Sequence, residues 1–149
     1  MTEFNTAVKE WLMRCPDIRA DKLYFNYLKT GADMQSFQTM ENAVVREDVL
    51  GNEIGQYTFA LIDLRPLSCM PLSHTEVDLA RMADAARVTE WVRTQARAHN
   101  YPVLPVDIVI DKITAPPAPV FAGADTSEGM HLAKYMVQVV IDYTKYFDD

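Results

Sequence analysis

The chain has 149 residues, of which 49% are hydrophobic and 23% charged, and this balance predicts one globular domain, residues 1–149, with its own core. Fourteen Lys and Arg against 21 Asp and Glu give a net charge of −7, which argues against a protein that wraps DNA, because such proteins need a basic surface. No apolar run approaches the roughly 18 residues of a membrane span. Cys15 and Cys69 lack a CxxC spacing, so we expect two free thiols. The first residues lack a basic segment followed by an apolar run, so we expect no signal peptide. We therefore expect a reducing, cytoplasmic setting and no membrane partner.

The first predicted element is an amphipathic helix that ends before Pro16. Its apolar side chains recur at helical spacing and are Phe4, Val8, Trp11, Leu12 and Cys15. This spacing predicts that the Trp11 face packs on a sheet. Residues 21–30 (DKLYFNYLKT) are dense in Tyr, Phe and Leu and predict a strand, and the following GADMQS predicts a turn or loop.

A long β-hairpin is the clearest local feature. Its predicted strands are Phe37–Val49 and Ile54–Leu67, with Leu50-Gly51-Asn52-Glu53 between them, where Gly-Asn accepts the positive φ of a tight turn. A strand of about 12 residues spans roughly 40 Å, whereas a body of this length has a radius of gyration of roughly 15 Å. We therefore expect part of the hairpin to project or to contact a neighbouring subunit.

The second half of the chain predicts one more helix and two strands. The helix covers Thr75 to His99, with an apolar stripe that includes Val88 and Val92. Val106–Thr114 and His131–Phe147 alternate as strands. Between them three prolines preclude a central strand, although Pro119-Val120-Phe121 could form a bend at a sheet edge, and Ala124–Gly129 predicts a small polar turn. We assign Trp11, Trp91, Tyr135 and Val139 to the core. The order predicts an α+β fold: a mainly antiparallel sheet with two helices packed on one face.

No motif indicates catalysis or cofactor binding. His74, His99 and His131 are scattered and form no helical metal pair, and phosphate-binding glycine loops are absent from the sequence. Asp107 and Asp111 fall at i and i+4 of a predicted strand and so on one face. Two such carboxylates could divide acid and base roles, but they are also common on an exposed edge. We expect no enzyme, no cofactor and no metal site.

Nearly the whole chain, from about Trp11 to Tyr146, resembles a phage minor capsid family similar in fold to the tail terminators of long-tailed phages. The segments that carry the resemblance are WLMRCP, QYTFALIDLRPLS, TEWVRTQARAHNYPVLP, IVIDKIT, VFAGADTSEGMHLAKY and MVQVVIDYTKY. Its most specific pieces are Glu90-Trp91 leading into Pro102-Val103-Leu104-Pro105, and the Gly123-Ala124-Asp125 turn. The strand after the hairpin turn departs from the family pattern and keeps only Gln56-Tyr57 of it.

The resemblance implies a non-enzymatic virion protein at the head–tail junction, assembled in the cytoplasm of a bacterial host. Such proteins close the tail tube as a ring, usually a hexamer, and dock onto the head connector, and DNA later passes through the hole without specific binding. The implied partners are other copies of the chain, the tail tube protein and the head connector proteins. Candidate interface residues lie at the hairpin tip and in an acidic turn, and they are Asp48, Leu50, Asn52, Glu53, Ile54, Asp125 and Glu128.

Two other functions stay open at this point. A small phage or prophage assembly or regulatory module, such as a tail assembly chaperone or an inhibitor, would be a monomer or dimer with one exposed apolar patch. An enzyme that uses Asp107, Asp111 and a histidine would need a buried carboxylate in a pocket.

Overall fold

The computed structural model describes residues 2–18, 23–26, 34–66, 74–125 and 132–147. These form two helices and six strands: α1 (Thr2–Leu12), β1 (Leu23–Phe25), β2 (Met34–Glu47), β3 (Glu53–Pro66), α2 (His74–Ala98), β4 (Ile108–Thr114), β5 (Val120–Asp125) and β6 (Leu132–Lys145). The predicted α+β class is confirmed. Among the described residues, no helix is both long enough and apolar enough to cross a membrane.

All six strands belong to one sheet in the order β1-β2-β3-β6-β4, and β5 pairs with the half of β6 that β4 leaves free. The β1–β2 pair is parallel and the other pairs are antiparallel. β6 is therefore a central strand, as its two-faced apolar pattern predicts.

Both helices cover the same face of this sheet. The face carries the alternate residues of the central strands, and the buried side chains on it are Tyr57, Phe59, Leu61, Val137, Val139, Ile141 and Tyr143. Phe4, Val8, Trp11 and Leu12 of α1 pack into the same cluster as Val88 and Val92 of α2. Trp91 is half-buried and packs against that cluster, while Trp11 is fully buried. The predicted amphipathic faces thus meet in one core.

The predicted hairpin exists, but it does not project past the sheet. β6 pairs with β3 along its whole length, from Glu53 opposite Lys145 to Pro66 opposite Leu132. What the hairpin leaves uncovered is the outer side of β2. Across the part of the chain that the structure describes, β1 pairs only with residues 35–37 of β2, so residues 40–47 have a strand on one side alone.

Several predicted boundaries are wrong. Val49, Val106 and Asp107, expected in strands, lie in turns. Met34-Gln35-Ser36 belongs to β2 rather than to a loop. β1 ends at Phe25, because Asn26 has a φ of 50° and its side chain bonds Thr39 of β2 instead of continuing the ladder. Ala124 and Asp125, expected in a turn, are the last residues of β5. Among the described strands β5 pairs with β6 alone, so it is an edge strand, and prolines are tolerated next to such strands. The remainder of that predicted turn, with Glu128, lies outside the described residues.

Candidate interaction surface

The loop at the hairpin tip, residues 48–52, is built around one carboxylate. Oδ1 of Asp48 accepts hydrogen bonds from the backbone N–H groups of Leu50 at 2.8 Å and Asn52 at 3.0 Å, and Oδ2 accepts one from Nδ2 of Asn52 at 3.1 Å. These bonds, the Asn52 backbone N–H foremost, hold the pKa of Asp48 below its usual range. Gly51 supplies the positive φ of 85° that the loop requires. These hydrogen bonds and the φ of Gly51 together define the conformation of the loop.

The tip is also tied to the end of β6. The side-chain oxygen of the buried Asn52 accepts a hydrogen bond from the backbone N–H of Phe147 at 3.0 Å. The backbone N–H of Tyr146 donates a hydrogen bond at 2.7 Å to the carbonyl oxygen of Asp107, which lies in the turn before β4. The tip loop, the end of β6 and this turn consequently lie together at one end of the sheet.

Large apolar side chains are exposed at that end. Val49 and Val106 have relative exposures of 102% and 99%, and Leu50 of 75%. Tyr146 and Phe147 are about half exposed, and Nζ of Lys145 lies 5.4 Å from the centre of the Phe147 ring. We call Val49, Leu50, Val106, Tyr146 and Phe147 the apolar end. Single exposed apolar residues are ordinary, whereas their concentration in one place indicates an interaction site.

The open edge of β2 adjoins the apolar end. Met40, Val44 and Val45 on this strand are each more than half exposed. Two bulges, between Thr39 and Asn42 and between Val44 and Arg46, interrupt the pairing with β3. Such an edge presents unpaired backbone N–H and C=O groups, so it can accept another strand, although bulges and charges restrict which strand fits.

The structure gives the predicted tip residues different roles. Leu50 is exposed, but Asp48 and Asn52 point their polar groups at the loop itself and at Phe147. Glu53, expected in the turn, is the first residue of β3, and Ile54 lies in β3 as predicted; both are half-buried. Glu53 lies opposite both Glu47 and Lys145, and Ile54 lies opposite Arg46 and Thr144.

Asp125 is not near the tip. It is the last residue of β5 and pairs with Leu132, which also pairs with Pro66 at the far end of β3. At about 3.3 Å per residue, the length of β3 separates Asp125 from the tip by roughly 40 Å. The candidate residues therefore form two separate regions.

Sequence reasoning missed Val49, Val106, Tyr146 and Phe147 as surface residues. Val49 could have been recognised because it adjoins the predicted turn, but the sequence pattern assigned it to a strand. The other three could not be found from sequence, because only the pairing of β6 with β3 and β4 brings them to the same end.

The hypothesis of an aspartate pair is wrong in its geometry. Asp107 lies in the turn before β4, and a bulge between Ile110 and Lys112 breaks the alternation that would place Asp107 and Asp111 on one face. Oδ2 of Asp111 accepts a hydrogen bond from the Thr144 hydroxyl at 2.7 Å.

The described side chains hold no group of three or more His, Cys, Asp or Glu that could bind a metal ion. Cys69 and His131, which the sequence singled out for their chemistry, lie outside the described ranges.

A small cavity lies between α2 and the sheet. Its volume is about 20 Å³, and Gln35, Asp63 and Thr89 contribute polar groups to its lining. Nε2 of Gln35 donates a hydrogen bond to Oδ2 of Asp63 at 3.1 Å, and the buried hydroxyl of Thr89 has no hydrogen-bond partner among the described residues. A space of this size holds about one water molecule, so it offers no room for a substrate.

Comparisons with known proteins do not show a family for this chain. No family model matches it, and no curated protein matches it. A solved structure is similar at 14% sequence identity and a TM-score of 0.40, with 99% of this chain and 94% of the other chain covered. A TM-score this low supports no argument about fold or function.

Proposed function

We propose that this protein is a ring-forming structural protein of a phage virion, a tail terminator or head–tail joining protein that caps the tail tube and docks onto the head connector. The observation that carries the proposal is the open edge of β2 beside the apolar end, because the alternative small module requires only one exposed apolar patch. The sequence resemblance is the reason for choosing this class of assembly protein over others.

The positions of these features favour contacts that lead to a ring. The open edge belongs to β2, while the opposite side of the sheet ends in β4 and β5. A contact between β2 of one copy and a different surface of the next copy is head-to-tail, and such contacts generate a ring when the rotation closes. Burial of Val49 and Leu50 in that contact would supply favourable free energy, at about 25 cal/mol for each Å² of apolar surface removed from water.

The charge of the chain is compatible with DNA passing through such a ring. A net charge of −7 per subunit repels phosphates, so DNA would move through the hole without specific binding. The partners in this proposal are further copies of the chain, the tail tube protein and the head connector proteins, and the protein acts at the head–tail junction of the virion.

The test is the solution mass measured by light scattering over a wide concentration range, followed by binding to purified, unterminated tails. We expect a species near six subunits, in solution or on the tail end. Val45→Lys on the open edge and Leu50→Glu at the apolar end should each raise the concentration needed for assembly by about tenfold or more, which corresponds to about 1.4 kcal/mol.

The matched control is Met13→Lys, which adds a charge at an exposed apolar residue after α1, far in sequence from the hairpin. It should leave assembly unchanged. A chain that stays monomeric and does not bind tails would contradict the proposal and favour a small assembly or regulatory module. Equal losses in Met13→Lys and Leu50→Glu would contradict the assignment of the surface.

A further inference from the structure

The sheet has a second open edge, on the side opposite to β2. β4 pairs with β6 over residues 108–114, and among the described strands no other pairs with it. Val109 and Lys112 on this strand are exposed, as are Val44 and Val45 on the edge of β2. Across the described part of the chain, both edges are therefore accessible to another strand.

The two open edges lie at the same level of the sheet and have equal length. One row of paired residues across the four strands runs from Glu47 of β2 to Ile108 of β4, and another runs from Asn42 to Ile113. Counted along the chain, both edge strands have the same number of residues between these two rows, from 42 to 47 and from 108 to 113. The numbers agree because each strand carries one bulge residue in this stretch, and the two bulge residues are Val45 and Asp111.

The two edge strands run in opposite directions. The pairs that connect β2 to β4, through β3 and β6, are all antiparallel, so the direction alternates across the four strands. When a second copy is placed beside the first by rotation about an axis parallel to the strands, its β4 is antiparallel to β2 of the first copy, and the helices of both copies stay on the same face. Residues of one row then share one face of the joined sheet, as strand pairing requires.

We propose that β2 of one copy pairs with β4 of the next copy, so that the sheet continues from subunit to subunit. Residues 42–47 lie antiparallel to residues 108–113 of the next copy, with Arg46 directly opposite Val109. The pairing rests on the self-assembly in the proposed function and specifies which two surfaces meet in it. Because β2 and β4 are different surfaces, the contact is head-to-tail and can repeat around a ring.

The most exposed apolar residues of the chain fit this contact. The antiparallel register continues past the strands, so the tip loop of one copy lies beside the turn before β4 of the next copy. This brings together Val49 and Val106, which are almost fully exposed in the single chain. Val45, which is more than half exposed, lies opposite Ile110 of the next copy. The pairing therefore removes apolar surface from water at both the strands and the loops.

The charges at the junction agree with the same register. Arg46 lies diagonally from Asp111 of the next copy, and both residues are exposed in the single chain. Diagonal partners of opposite charge are within reach of a long side chain. Lys112 of the next copy lies opposite the uncharged Ala43, and no two charged residues are directly opposite each other between 42–47 and 108–113.

The experiment joins the two edges by a disulfide in the full chain, with Cys69→Ser as the background. Arg46→Cys and Val109→Cys are introduced together. Within one copy these residues are three strand spacings apart, roughly 14 Å, which is too far for a disulfide, whereas in the proposed pairing they are direct neighbours between copies. After oxidation of protein assembled in solution or on unterminated tails, we expect a ladder of covalent oligomers up to the size of the ring, which a reducing agent collapses to the single chain.

The matched control combines Arg46→Cys with Thr114→Cys. Thr114 is on the same face of the sheet as Val109 but roughly 15 Å further along β4, so this pair should give no ladder. A mixture of the two single variants, Arg46→Cys and Val109→Cys, should give a cross-linked dimer and nothing larger. Neither single variant should cross-link alone, because each carries a cysteine on one edge only.

Hydrogen exchange of the native chain is a second measurement and needs no substitution. On assembly, amides in residues 42–47 and 109–113 that do not bond within the subunit should exchange at least about tenfold more slowly. The amides of β5, which lies beyond the proposed junction, should keep their rates.

The results separate the pairing from the proposed function. An assembly that binds tails without a ladder and without slower exchange at the two edges would contradict the pairing and leave the function in place. A ladder from a chain that does not bind tails would support the pairing and contradict the role at the head–tail junction. Equal cross-linking of the Val109→Cys and Thr114→Cys pairs would contradict the register. Cross-linking of Arg46→Cys alone would show that β2 pairs with β2, which also overturns the proposal.

Discussion

Gly55 and Tyr143 show how closely a single residue position is specified in this sheet. They are direct partners between β3 and β6, and the phenol ring of Tyr143 occupies the space that a side chain at Gly55 would need. The ring of Phe4 contacts both Tyr143 and Tyr57, at centroid distances of 4.7 and 4.9 Å. The docking of α1 near the hairpin tip therefore depends on the absence of a Cβ at residue 55.

Replacing Gly55 by Ala should lower the free energy of unfolding by about 1–3 kcal/mol, as measured by chemical denaturation. The new Cβ would lie 2.6 Å from Cζ of Tyr143 and 2.9 Å from the carbonyl oxygen of Ala43, so the strand or the ring must move. Gly51→Ala is the control, because its Cβ meets no atom within 4 Å and only its positive φ is unfavourable. Tyr143→Leu should recover part of the loss from Gly55→Ala and none of the loss from Gly51→Ala. If Gly55→Ala lowers the free energy of unfolding as much in the Tyr143→Leu background as in the native protein, the steric explanation is wrong.

The elements differ in how far the sequence determines them. α1 was predictable because its apolar residues recur at helical spacing and Pro16 excludes continuation. β6 was predictable because a large apolar side chain occupies every second residue from Tyr135 to Tyr143. β5 was not, since its proline-rich approach resembles a loop and its pairing depends on the free half of β6. The strand predicted at β1 was too long, because the spacing of the residues does not reveal the positive φ of Asn26 that ends the strand.

A hydrogen bond connects the two helical elements. Nε1 of the buried Trp11 donates to the carbonyl oxygen of Asn100, just after α2, at 2.8 Å, and the Trp11 and Trp91 rings lie 5.2 Å apart. Trp11→Phe should cost about 1–3 kcal/mol, because it removes this bond and leaves a cavity. Trp91→Phe, at a half-buried residue without that bond, should cost less. Urea unfolding measures both, and equal costs would contradict the linking role of Trp11.

At the scale of the whole molecule, the topology determines the surface more than any local pattern does. The apolar end combines residues from the hairpin tip, the turn before β4 and the end of β6, and no window of sequence contains all three. Sequence reasoning could find the tip as a candidate, but it could not separate Asp125 from it, because that separation follows from strand order.

The whole core should also respond to alkaline pH through Tyr57. Burial raises the pKa of Tyr57 to about 12, against an ordinary value near 10. Because the folded pKa is the higher one, the stabilising contribution is complete below about pH 10 and is lost as the pH rises from about 10 to about 12. We expect the free energy of unfolding to fall in that range, and to fall less steeply in Tyr57→Phe. Burial also raises the pKa of Tyr143, so some pH dependence should remain in the variant. If the free energy of unfolding falls with pH equally steeply in the native protein and in Tyr57→Phe, the assignment to Tyr57 is wrong.

The position of β6 has a consequence for how the chain acquires its structure. β6 is the last of the described strands to be synthesised, yet it joins β3 on one side to β4 and β5 on the other. Its pairs with β3 connect residues far apart in sequence, and folds rich in such pairs fold in milliseconds to seconds rather than microseconds. Until residues 132–145 have left the ribosome, the nascent chain carries the hairpin and β4 as separate pieces with unpaired edges. The interval before β6 arrives is therefore when this protein is most exposed to aggregation.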